Sequence, residues 1–291
     1  MIDILQLTFN GIAIGSIYAL IGLGFIFAVN SVKIVNLAHG EILMLGGYFA
    51  VTTVLYLKMP VLLGCLVAII GTVIFGYILN LAILRPLVGK PFFSVVVATM
   101  GLSMILSNTA MNIWGPNPVN LPGPFAVEVF LIGGVVIAKL NLLVIATLAV
   151  VLVLLAWFYR KTLTGRQMRA MSELQDVARL LGLPVRRLTA LTFMVSAGLA
   201  GLAGVLVGPL YFVSPHMGGV ALLKGFTAAI IGGFGKVEGA VLGGLALGII
   251  ETMMASYVSP IFKDGFSFMV LILVLLIRPM GILGESFSKR V

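Results

Sequence analysis

The chain has 291 residues, of which 61% are apolar and only 9% charged, and it carries a formal charge of +9. Soluble domains average about 45–50% apolar and about 25% charged residues, so this composition, with 35 glycines and 14 methionines, is that of a polytopic membrane protein. The basic residues are strung between apolar segments rather than gathered on one face, which excludes a nucleic-acid surface and reads as topogenic charge.

The opening stretch MIDILQLTFNG has no basic region and carries Asp3, so it reads as the start of a first span rather than a cleaved leader. A bilayer core about 30 Å thick needs about 20 apolar helical residues. Runs of that kind fall approximately at 4–29, 40–57, 61–84, 94–114, 141–159, 190–212, 217–234, 238–258 and 262–277. They predict an all-α integral membrane protein of eight or nine transmembrane or re-entrant helices. The Gly-rich run 217–234 is the best candidate for a half-span. The single cysteine, Cys65, lies in an apolar run, so an intrachain disulfide is excluded.

Orientation follows from the basic residues. Placing 30–39, 85–93, 160–189, 235–237 and the tail after 277 in the cytoplasm puts 14 of the 18 there. Lys58, Lys139 and Lys263 then lie outside and Lys224 within a span. This predicts an outside N-terminus, an inside C-terminus and an odd number of crossings, which favours nine.

Two connections are long. The external loop, 115–140, holds four of the twelve prolines and then alternating apolar residues, which predicts an extended, strand-like cap. The internal loop, 160–189, carries seven basic residues. Within it Met171, Leu174, Val177, Ala178 and Leu181 recur at helical spacing, while Glu173, Gln175, Asp176 and Arg179 occupy the other positions. Ser172 reads as an N-cap for a helix starting at Glu173, and Gly182 followed by Pro184 as its stop. Two readings stand side by side: a helix lying in the headgroups, held by arginines and anionic lipid, or a helix presented to a partner. No soluble domain interrupts residues 1–291, so the chain reads as a single transmembrane domain. Gly-Gly pairs recur along it, but small-residue packing explains them without an internal duplication.

The segment Asp176-Val177-Ala178 with Gly182 partly matches the "EAAxxxG" loop of ABC importer permeases, with Asp for Glu and Val for one Ala. Together with it, NGIAIGSIYALIGLGF (10–25), NLAHGEILMLGGY (36–48), GRQMRA (165–170), AGLAGLAGVLVGP (197–209), GGFGKVEGAVLGG (232–244) and RPMGILG (278–284) span nearly the whole chain. In this order they resemble the LivH-type permeases of branched-chain amino acid ABC importers. The resemblance implies a permease in the cell inner membrane that passes a branched-chain or other small amino acid inward. It implies a second related permease, two cytoplasmic ATPase subunits that carry the ATP and Mg, and an extracytoplasmic solute-binding protein. It also implies that Glu173, Asp176, Val177, Ala178 and Gly182 form a coupling helix docking on an ATPase. The absence of a G-x-x-x-x-G-K-[ST] stretch agrees with nucleotide bound elsewhere, and neither G-x-S-x-G nor H-E-x-x-H occurs, so no enzyme or metal site is predicted.

The ionisable residues within spans are the remaining candidates, since charge inside a membrane usually faces protein or a water-filled cavity. Asn36, His39 and Glu41 sit where a helix enters or breaks. They read either as lining the route or as a helix start with Glu41 satisfying the dipole. Lys224 and Glu251 are expected to pair, as a packing bridge or as a partner for a zwitterion. Thr99, Ser103 and Asn108 are weaker pathway candidates, since such side chains mostly bond across helices. Gly11/Gly15, Gly204/Gly208, Gly239/Gly243 and Gly244/Gly248 have the spacing of helix-packing seams; packing within the chain is the default reading, and contact of one seam with a partner permease the alternative. The competing reading is a secondary carrier or channel that uses His39, Glu41, Lys224 and Glu251 for ion coupling.

Overall fold

Proline and glycine set the boundaries of the helices. Pro60, Pro91 and Pro184 each stand immediately before one, where their fixed φ is tolerated and no intrahelical donor is lost. Gly115, Gly182 and Gly233 have positive φ and stand just past helical turns. A computed structural model describes residues 2–32, 34–123, 128–132, 135–173, 178, 180–278 and 280–284. In chain order the elements are α1 (Ile2–Val32), α2 (His39–Val51, continued by a π turn Thr52–Tyr56), α3 (Val61–Leu79, continued through a π turn to Leu87), α4 (Phe92–Trp114), β1 (Val129–Ile132), β2 (Val135–Ala138), α5 (Lys139–Lys161), α6 (Leu163–Glu173), α7 (Val185–Leu210), α8 (Met217–Gly232), α9 (Val237–Tyr257) and α10 (Lys263–Ile277).

All nine apolar runs fall on helices. Six described helices are long and apolar enough to cross a membrane: α1, α3 with its extension, α4, α5, α7 and α9. The helices α2, α8 and α10 are shorter. The alternating residues after α4 do pair, as the antiparallel hairpin β1–β2 with Val129 opposite Ala138 and Phe130 opposite Ile137. The loop before the hairpin also pairs with the linker after α7, through Val119 and Val213 in two bonds of 2.8 and 2.9 Å. The hairpin and α6 thus mark opposite sides of the bundle, called here the hairpin side and the α6 side.

The helix α1 is central, with Ile17, Ala19, Leu20, Ile21, Leu23 and Ile26 fully enclosed; hydropathy does not decide this, since α3 and α5 are at least as apolar and lie mostly exposed. Glycines let neighbouring backbones touch α1. A Cβ on Gly11 would lie 2.7 Å from Ile249 Cα, one on Gly15 2.7 Å from the Gly244 carbonyl, and one on Gly244 2.5 Å from the Ala19 nitrogen. Gly248, one turn further along α9, is buried directly against the Gly11 carbonyl and the Gly15 backbone. As numbering rises along α1 it falls along α9, so the two are antiparallel. The same relation joins α3 to α7, where Gly201 meets Thr72 and Gly76 meets Ala197. Gly204 packs on the Leu43 and Gly47 backbone of α2, while Gly239 and Gly243 pack on α8 and Gly208 on Leu121.

Helix packing within the chain, the first reading of these spacings, accounts for the contacts: Gly11 and Gly15 meet Gly244 and Gly248, and the Gly204/Gly208 and Gly239/Gly243 seams meet α2, Leu121 and α8.

These pairings expose a repeat that the sequence reading explained away. The set α1–α4 and the set α7–α10 run in opposite directions: α1 packs on α9 as α7 packs on α3, and α2 packs on α7 as α8 packs on α1. Six residues separate α1 from α2 (33–38), and six separate α7 from α8 (211–216). Inverted repeats around interrupted helices are a recurrent transporter architecture.

Candidate functional site

The two short helices α2 and α8 begin inside the bundle with their N-terminal turns in contact. A Cβ on Gly218 would lie 2.9 Å from the Gly40 carbonyl and 2.6 Å from Glu41 Cδ, so glycine is required where the two helix starts cross. Asn36 shapes the entry into α2: its Oδ1 accepts from the Ala38 amide at 3.1 Å and its carbonyl from the His39 amide at 3.3 Å. Glu41, in the first turn, is buried where both helix dipoles favour negative charge. Its Oε1 accepts from Ser103 Oγ of α4 at 2.8 Å, and Ser107 Oγ one turn on donates to the Pro215 carbonyl at 2.7 Å. The two linkers and α4 are thereby tied together.

Several buried polar atoms here have no hydrogen-bond partner among the described residues: Asn36 Nδ2, both His39 ring nitrogens and Glu41 Oε2. The His39 ring stands edge-on to Phe25, with centroids 6.2 Å apart, against Gly24 of α1. The Ile21 carbonyl is nearby without closing good hydrogen-bond geometry. Thr99, one turn below Ser103, spends its hydroxyl on the Val95 carbonyl at 2.9 Å.

Lys224 and Glu251 pair as expected, at 2.7 Å, and the pair is the inner half of a larger cluster. Lys224 Nζ also meets Asp264 Oδ1 at 2.7 Å and the Tyr18 hydroxyl at 3.1 Å. Glu251 Oε1 accepts from Tyr18 at 2.8 Å and lies 3.1 Å from Lys263 Nζ, while Oε2 accepts from Ser267 at 2.6 Å. Two cations face two anions, and both Glu251 oxygens are satisfied. The cluster grades from fully buried Glu251 to Asp264, whose side chain is 58% exposed on the hairpin side. Sequence reasoning missed Tyr18, Lys263, Asp264 and Ser267. The signal for two of them was an adjacent Lys-Asp pair opening the last span.

On the α6 side the chain turns sharply out of α5. Thr162 Oγ1 accepts from the Gly165 amide at 3.0 Å, making Thr162 the start signal, and Gly165 packs directly on the Phe158 and Tyr159 backbone. This helix, α6, ends at Glu173, where the sequence reading starts its helix. Ser172 lies in the last turn of α6 with Oγ on the Arg169 carbonyl at 2.7 Å, and most of the helix it was read as capping lies outside the described residues. Met168 and Met171 are buried with Ala178 and Leu188 in a small separate core, and Glu173 faces Arg169 at 3.9 Å in the open. Asp176 and Val177 lie outside the described residues. Leu180 and Leu181 project with 87% and 74% exposure, and Gly182 follows with φ of +75° and nothing near the position of a Cβ. Among the described residues no group of His, Cys, Asp or Glu is placed to hold a metal ion.

Inverted helix sets packed around the starts of two short helices are an architecture that recurs in membrane transporters. Residues 7–275 match the family described as the branched-chain amino acid transport system / permease component, and the chain belongs to that family. It is 36% identical over 300 residues to the high-affinity branched-chain amino acid transport system permease protein BraD of Pseudomonas aeruginosa, covering 99% of this chain and 98% of that protein. It is 34% identical to the corresponding LivH proteins of Salmonella typhimurium and Escherichia coli, with 99% and 97% covered in each case. A solved structure described as PsaBC from Streptococcus pneumoniae in complex with Fab shares the fold, with a TM-score of 0.52 at 14% identity over 95% of this chain and 92% of that one.

Proposed function

We propose that this chain is the membrane subunit of an ATP-driven importer that passes a branched-chain amino acid, released by a solute-binding protein, into the cytoplasm. In this reading the hairpin side faces outward and the α6 side inward, as the basic residues of the internal loop favour. A second, related permease completes the pathway, and two ATPase subunits supply ATP and Mg from the cytoplasm. The observation that carries the reading is the α6 elbow: a short helix fixed by its own small core, followed by exposed Leu180 and Leu181 and a backbone that glycine turns away. An apolar knob on a rigid stem suits a groove on a partner that moves it. The loop from Glu173 through Asp176 and Val177 to Gly182 is the coupling contact in this proposal, with Ala178 anchoring it from within.

Gly182→Pro is expected to abolish ATP-dependent leucine uptake in proteoliposomes of the assembled transporter while the chain still inserts, since proline cannot adopt φ of +75°. Gly182→Ala meets no atom and costs only about 1–2 kcal/mol of left-handed strain, so it should retain most uptake. Wild-type uptake by the proline variant would overturn the coupling role.

The competing carrier reading needs a titrating relay through His39. Its ring nitrogens make no hydrogen bond, so His39→Ala removes no bonded partner, and uptake driven by ATP is expected to persist substantially. Complete loss with normal assembly would move the relay reading forward.

A further inference from the structure

Exposed faces of the spans differ in kind. Those of α3, α5 and α10 carry Leu63, Leu66, Ile70, Ile74, Val153 and Ile272, all apolar, as lipid requires. The face of α4 does not. Of the described asparagines and glutamines in the membrane-crossing helices, only Asn108 and Asn112 are exposed, one turn apart on α4. Asn108 stands six residues, about 9 Å, from the end of its helix at Trp114, well inside the span. Each amide nitrogen bonds the carbonyl four residues back, at 2.7 and 2.9 Å. The side-chain carbonyls are left without a partner among the described residues. Exposed Met104 continues the same face.

This face adjoins the crossing of the helix starts. Ser103 and Ser107, which hold Glu41 and the Pro215 carbonyl, each neighbour a residue of the exposed strip, Met104 and Asn108. His216, the exposed residue that opens α8, is close enough to act on the Glu41 charge, and Gly219 beside it is open. Behind the strip lies Glu41 Oε2, buried without a partner against Gly218. Uncompensated amides are costly toward hydrocarbon, and polar groups in spans accordingly face protein or water-filled cavities.

We infer that the hairpin-side half of α4, with Asn108 and Asn112, and the start of α8, with His216, form this chain's wall of an aqueous transport route. The ligand class is a small zwitterion, whose ammonium finds the side-chain carbonyls of Asn108 and Asn112. The inference rests on the importer reading above, in which the second permease supplies the opposite wall.

The test uses the assembled transporter in proteoliposomes, with Cys65→Ala removing this chain's one thiol and the labelling read on this chain alone. Single cysteines are placed at Asn108, Asn112 and, as a lipid-facing control, Ile74. Each is treated with a charged, water-soluble methanethiosulfonate and with a lipid-soluble maleimide. Labelling of Asn108→Cys and Asn112→Cys by the water-soluble reagent, with loss of leucine uptake after labelling and no reaction at Ile74→Cys, is the expected result. Reaction of both asparagine positions with the maleimide alone would make the face a lipid surface and overturn the inference. Reaction with neither reagent, together with oxidative cross-linking to the second permease, would make it a dry interface and overturn it equally. Two positions guard against one variant failing to assemble. Uptake by the unmodified transporter is measured alongside. Its absence overturns the importer reading, whereas the labelling pattern judges the face by itself.

Discussion

Glu251→Ala is expected to destabilise the detergent-purified protein by about 3 kcal/mol, because breaking a buried ion pair strands the remaining charge. Lys224 would keep Asp264 at 2.7 Å, but Asp264 is more than half exposed and screened, and Tyr18 and Ser267 would each lose an acceptor. The figure therefore belongs at the low end of the range for buried pairs. Thermal unfolding followed by fluorescence-detected size-exclusion chromatography checks it. The double variant Lys224→Met with Glu251→Leu separates the two roles of the pair. Apolar replacement of a whole buried pair is often neutral, so the double variant should recover most of the lost stability. If the pair is a packing bridge, uptake returns with it. A stable double variant without uptake would assign the ions to transport instead.

The cluster also shows what was legible beforehand. Lys224 and Glu251 stood out because isolated charges in apolar runs demand partners, and they found each other. Their further partners sit on α1 and α10, and no local pattern joins Tyr18 to residues more than 200 positions away. The nine apolar runs fall on helices, since hydropathy and proline placement are local signals. The glycine spacings marked close packing, but spacing alone does not say which helix fills a seam, so the pairing of Gly11 and Gly15 with Gly244 and Gly248 was not legible. The inverted repeat was hidden for a related reason. Inversion preserves the order in which helices pack but neither their direction nor residue identity, and Gly-Gly pairs occur wherever helices touch. A faint trace was present: Ala38-His39-Gly40 and Pro215-His216-Met217-Gly218 both place the chain's histidines at the start of an interrupted helix. The helix α6 was not legible, because its start depends on the turn at Gly165 against the Phe158 backbone, a contact that no local pattern announces.

The second large effect concerns glycines, and it is a change of sign. In a helix interior Gly→Ala is intrinsically favourable by about 0.5–1 kcal/mol, and Gly101 and Gly265 have nothing within 4 Å of the added methyl. Gly101→Ala and Gly265→Ala should therefore raise the melting temperature slightly or leave it unchanged. At Gly244 the same methyl would stand 2.5 Å from the Ala19 nitrogen and 2.7 Å from its Cα, both backbone atoms that no rotamer change can move. The helices α1 and α9 must separate to admit it, and since α1 is the bundle's central helix the cost is about 1–3 kcal/mol for overpacking. Gly15→Ala, across the same seam and 2.7 Å from the Gly244 carbonyl, should behave alike. Because both residues share one contact, the combined variant should be non-additive, as the first separation already makes room for the second methyl. Additive losses in the combined variant, or losses of the same size at Gly101, would mean that the α1–α9 contact does not set the requirement for glycine.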